Sequence, residues 1–160
     1  MTMTSEKKAT LTLPAEDQIL ITREFDAPAH LVYAAYTQPE HIRRWWHAKR
    51  GEMTAAEVDL RVGGGWRYVM VTPDGSEVAF HGEYREVVPY ERIVSTEVYE
   101  AVPDAEAVDT IEFAEADGRT TLTLLVQHQR KEHRDMHIES GMENGLQDAL
   151  DLLEQVAQSL

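Results

Sequence analysis

Cysteine is absent from all 160 residues, which excludes disulfides, thiolate nucleophiles and cysteine-ligated metals together. Basic side chains are few: 15 Lys and Arg stand against 29 Asp and Glu, a formal charge of -14. Such a surface repels phosphate backbones and anionic membranes, so no affinity for nucleic acid is expected at physiological salt. Long hydrophobic runs are also missing. No stretch approaches the ~20 apolar residues that cross a bilayer, and the opening sixteen residues lack the apolar centre of a leader, so no membrane insertion and a cytoplasmic location are expected. No serine sits in a Gly-x-Ser-x-Gly frame, which leaves covalent catalysis without a visible nucleophile. His133 and His137 have the four-residue spacing that zinc enzymes use, but Arg134 stands where the motif needs glutamate and no third ligand is evident. No metal, no other cofactor and no catalytic residue is therefore assigned.

What the chain does carry is a long apolar stripe at its end. Ile138, Met142, Leu146, Ala149, Leu153, Val156 and Leu160 recur at steps of three and four, which predicts one long helix over residues 135–160 with a single greasy face. One helix cannot bury that face alone. Upstream lie segments of strand character, at 18–26, 57–61, 66–71, 78–88, 92–99, 108–115 and 119–128, separated by turn residues such as Pro73-Asp74-Gly75 and Asp117-Gly118. Two short helices interrupt them after the first strand: Asp26 and Pro28 form a start signal for one, and Pro39 opens a second that runs to about Trp46. About seven antiparallel strands curving around the terminal helix is the arrangement that covers the stripe, an α+β fold. The length suits one domain over residues 17–160, preceded by a flexible arm, residues 1–16.

Particular motifs resemble a known family. Arg23-Glu24-Phe25-Asp26-Ala27-Pro28, then Thr37-Gln38-Pro39-Glu40-His41 leading to Trp45-Trp46, resembles the opening of the SRPBCC superfamily, the START-like helix-grip proteins. Asp59-Leu60-Arg61-Val62-Gly63-Gly64 followed by Trp66-Arg67-Tyr68 resembles the hairpin of its subgroup related to the C-terminal domain of the activator of the heat-shock chaperone ATPase. Phe80-His81-Gly82 and the run from Ser140 to Gly145 fit the same subgroup, and Leu146 departs from it, since many relatives carry an aromatic residue there. The resemblance implies a helix-grip fold with a hydrophobic cavity between the sheet and the C-terminal helix.

Strand parity supplies candidate lining residues. Trp66, Tyr68 and Met70 share one face, Phe80 and Tyr84 another, as do Ile111 with Phe113 and Leu124 with Val126 and His128, while Met142, Leu146 and Leu153 oppose them from the helix. Trp66, Tyr68, Met70, Phe80, Tyr84, Phe113, Leu124, His128, Met142 and Leu146 are thus the candidate ligand-binding set. Tyr68, Tyr84 and His128 are the polar groups able to orient a ligand. Asp59 and Arg61, two apart on a strand, are expected to pair and fix the hairpin, with Gly63 and Gly64 making a tight reversal. The favoured function is a non-enzymatic module that holds a hydrophobic or aromatic small molecule. The resemblance implies two alternatives, a polyketide cyclase or aromatase-like enzyme that uses cavity acid-base residues, and a co-factor of the chaperone ATPase. A homodimer is left open.

Overall fold

The period-two alternation of the chain is realised almost throughout. The computed structural model describes residues 8–160. In chain order they form β1 (Thr10–Thr12), β2 (Gln18–Phe25), α1 (Ala29–Thr37), α2 (Pro39–Ile42), β3 (Glu52–Val58), β4 (Gly65–Val71), β5 (Glu77–Val88), β6 (Arg92–Tyr99), β7 (Ala107–Ala116), β8 (Arg119–Gln127), α3 (Lys131–Glu139) and α4 (Met142–Gln158). The strands make one antiparallel sheet in the order β1-β2-β8-β7-β6-β5-β4-β3. Because β2 lies near one edge and β3 at the other, α1 and α2 carry the chain across the whole sheet, and α4 packs beside α1. This is the α+β helix-grip arrangement: the concave face of the sheet wraps the terminal helix, and the two buried faces meet between them.

Four local expectations change. The predicted helix over 135–160 is two helices, broken at Ser140 and Gly141, because Gly141 adopts φ +81, a left-handed conformation that ends one helix and starts another. The stretch Thr10–Thr12, placed by the sequence within a loose arm, is an edge strand paired with Leu20, Ile21 and Thr22; residues 1–7 of that arm lie outside the described residues. The second short helix stops at Ile42, and Trp45 and Trp46 sit in the turns that follow. Asp26 does not cap α1. Its first amide, on Ala29, instead donates to Glu115 Oε1 of β7 at 2.6 Å, so a distant strand supplies the N-terminal acceptor that the local sequence lacks.

What positions α4 is an ion pair at depth. Arg23 shares the inner face of β2 with Ile19, Ile21 and Phe25 and is buried with them. Its guanidinium donates to Asp151 Oδ1 at 2.7 Å and Glu154 Oε1 at 3.2 Å, both on α4, and lies 5.1 Å from the centre of the Phe25 ring. Glu154 Oε2 also accepts the amide of Asp26 at 2.9 Å. One side chain thus ties the helix to the strand end and to the turn that leads into α1.

Candidate ligand-binding cavity

Between the concave sheet and α4 lies a cavity of about 370 Å³, within the range of small-molecule sites. The candidate residues Trp66, Tyr68 and Met70 reach it from β4, Phe80 and Tyr84 from β5, Leu124 from β8, and Met142 and Leu146 from α4. Two candidates lie off it. Phe113 is on the correct face of β7 but further along the strand, where its ring meets Tyr33 and Tyr36 edge-on at 5.5 and 5.9 Å. His128 sits just past the end of β8, behind the wall, and its Nε2 is 3.0 Å from Nδ1 of His137. His137 itself lines the cavity.

The aromatic wall is continuous. Trp46 meets Tyr68 at 5.5 Å and Phe80 at 5.6 Å, and Trp66 lies 4.7 Å from Tyr68. Tyr36 stacks on Trp45 at 5.4 Å, and the Trp45 indole is held in place by donating to the Ala35 carbonyl at 2.8 Å. Trp45 and Trp46 come from an irregular segment, where no periodicity could assign them a direction.

The larger omission in the sequence reading is polar. Ser95 and Glu97 on β6 and Asp109 on β7 also line the cavity. Asp109 shares strand parity with Ile111 and Phe113, and Glu97 with Ile93, so the signal was an acidic residue at an inward position. Asp109 is 5% exposed, and its Oδ1 has no hydrogen-bond partner. Burial, then the charge of Glu97 and a hydrogen bond with it, hold the Asp109 carboxyl well above the usual carboxylate range. Burial likewise raises the phenols of Tyr36, Tyr68 and Tyr84. These hydroxyls are neutral donors and acceptors at pH 7.

His137 in this wall and His128 behind it are also uncharged. Burial, followed by the neighbouring His137, lowers His128 to about 4, and burial lowers His137. Unfolding frees both rings to bind protons, so they make stability fall as pH drops from the ordinary imidazole value of 6.5, with the His128 loss complete near pH 4. Asp109 acts in the opposite sense. Its raised value favours the fold as pH falls through it, so the His128 effect is read as a difference: between pH 7 and pH 5 wild type should lose on the order of 1–2 kcal/mol more than His128→Gln. Urea titrations at the two pH values measure this, and parallel losses would show that His128 is not held neutral.

The hairpin motif is settled by geometry. Asp59 and Arg61 do pair, through Nε at 2.9 and 3.1 Å from the two carboxylate oxygens. They lie beyond β3 in the turn, however, not on a strand, and both are exposed. Arg61→Ala should therefore change stability by less than about 1 kcal/mol in a thermal melt. Gly63 takes φ +85, and Gly64 is pressed so close to the Asp59 carbonyl that a methyl group would overlap it. Among the described residues no three His, Asp or Glu side chains converge as a metal-holding group, and no helix is long and apolar enough to cross a membrane.

With sheet, helix and cavity in place, the likeness to known proteins is specific. The family model described as Activator of Hsp90 ATPase homolog 1-like protein matches residues 26–158. The chain belongs to that family. Among solved structures, a protein from Rhodobacter sphaeroides is 24% identical with a TM-score of 0.89, over 96% of this chain and 100% of its own. One from Nitrosomonas europaea is 27% identical with a TM-score of 0.82, over 92% and 97% of the two chains. A third, an AHSA1-like protein from Aeromonas hydrophila, is 23% identical with a TM-score of 0.67, over 88% and 92%. No curated protein matches by sequence. The match spans the hairpin and the C-terminal helix, and the fold suits ligand binding in general.

Proposed function

We propose that the protein is a binding module that holds a hydrophobic or aromatic small molecule in the space between sheet and α4. The observation that carries this reading is the cavity itself: about 370 Å³, walled by tryptophan, tyrosine and phenylalanine rings, with a surface that is mostly apolar. Burial of apolar surface drives such binding, and the hydroxyls and carboxyls orient what enters. Leu146 lines the cavity from α4, so its side chain reports on whether the space is used. Leu146→Trp should keep its stability within about 1 kcal/mol, because the added ring enters open space instead of a packed core. It should also weaken the neutral fluorophore N-phenylnaphthylamine by at least roughly tenfold. Strong destabilisation, together with no probe binding by wild type, would place function elsewhere on the protein.

A second reading, an enzyme resembling polyketide cyclases, gains from Glu97, Asp109 and His137 meeting at one cavity. Asp109 and His137, whose proton affinities burial displaces, are the kind of groups that general acid-base catalysis uses. Turnover of aromatic polyketide-like substrates, lost in Asp109→Asn, would favour it over a carrier. The family description also names an ATPase activator, but a shared fold does not transfer a partner, and a chaperone pull-down decides that role.

A further inference from the structure

The carboxyl pair inside the cavity lacks a counter-charge. Asp109 and Glu97 face the same space from neighbouring strands. The groups around them are the hydroxyls of Tyr36, Tyr68, Tyr84 and Ser95 and the imidazole of His137. None of these is a cation: the phenols are neutral, and burial keeps both His137 and the His128 behind it uncharged. Among the described residues no lysine or arginine pairs with either carboxyl. The guanidinium of Arg50, which lines the cavity, is bonded to Asp148 at 2.9 Å and to the Ala48 carbonyl. Glu97 is half-buried and Asp109 fully so, and the cost falls on Asp109: its carboxyl is withdrawn from water, no cation offsets it, and its Oδ1 is unbonded.

A ligand can remove it. From the aromatic wall, the unpartnered Asp109 oxygen and the unpaired charge beside it, we infer that the cavity takes a hydrophobic amine, with its ammonium group on Glu97 and Asp109 and its apolar body against Trp46, Trp66 and Phe80. An ammonium group offers three donors and no acceptor, which matches two carboxyls flanked by phenol oxygens. Tyrosine and tryptophan faces within reach of the cation add cation–π attraction in a desolvated site. The surface charge of -14 draws the same class of ligand toward the protein.

This inference rests on the reading of the cavity as a ligand site, and matched probes separate the two. Naphthylmethylamine and naphthylmethanol differ in charge and hardly in shape. Calorimetry at pH 7 should find the amine bound at least roughly tenfold more tightly by wild type. The double variant Glu97→Gln/Asp109→Asn should erase that advantage, bringing the amine's affinity down to the alcohol's. In wild type alone, the side-chain carbon resonances of Glu97 and Asp109 should shift with the amine and not with the alcohol, a readout that does not depend on the variant folding. Equal affinities of wild type for the two probes, or undiminished amine binding by the double variant, would overturn the amine assignment while leaving the cavity a ligand site. Binding of neither probe would overturn both.

Discussion

Glu154→Leu should destabilise the protein by about 3–5 kcal/mol, the usual consequence of removing one partner of a buried pair. The Arg23 side chain is fully buried and that of Glu154 is 7% exposed, so neither charge is solvated in place of the other. The leucine leaves Arg23 with Asp151, half-exposed on the next turn, and with the Glu24 carbonyl at 3.2 Å. It also strips the Asp26 amide of its acceptor. Both losses are desolvation penalties, which exceed the net worth of the bonds themselves. The paired replacement Arg23→Met/Glu154→Leu should therefore recover part of the loss, since no buried charge is then left alone: Asp151 is half-exposed to water, and only the Asp26 amide still lacks its acceptor. Urea unfolding of the two single variants and the double gives the coupling directly. A loss below about 1 kcal/mol in Glu154→Leu would mean that the helix is held by apolar packing and not by this pair.

The contrast between what could and could not be read beforehand follows the same physics. Strand parity places Trp66, Tyr68, Phe80 and Tyr84 correctly because a half-buried strand leaves alternation in the sequence. Parity assigns a face but no level along the strand, and so Phe113 falls beside Tyr33 instead of in the cavity. Asp109 obeys the same parity as Ile111 but the sequence does not mark it as buried, because acidic residues are normally solvated and only the neighbouring strand shows that this one is not. The break at Gly141 leaves the apolar stripe intact: Ile138 and Met142 remain at helical spacing on either side, and only the glycine marks the end. β1 is three residues long and exists through its pairing with β2, a non-local contact invisible to any local pattern. The buried Arg23 is similar, since its partners are 128 and 131 residues away.

Gly82→Ala should be at least as damaging as an overpacked core, costing about 3 kcal/mol or more, and it should act on the cavity as well as on stability. Gly82 lies in β5, where the ladder to β6 is irregular: His81 pairs with Val98 and Tyr84 with Ser95, and the register shifts just beyond. Between those pairs the amide of Glu83 donates to the Thr96 hydroxyl at 2.9 Å in place of a backbone carbonyl. β5 therefore lies tight against β6 at Gly82. A methyl group at Gly82 would overlap the Thr96 carbonyl oxygen on one side and the Trp66 indole on the other. The indole can turn aside, but the carbonyl belongs to the strand, so relief requires β5 and β6 to separate and the sheet to flatten. Tyr84 on β5 and Glu97 on β6 both line the cavity, each within two residues of this close approach, and separating the strands would move them apart. The expected result is a lower urea midpoint together with weaker binding of N-phenylnaphthylamine at temperatures where the variant is still folded. Adding Trp66→Leu would relieve the clash with the indole alone and should rescue little. If that double variant recovers both properties, the glycine is required for the tryptophan and not for the curvature of the sheet.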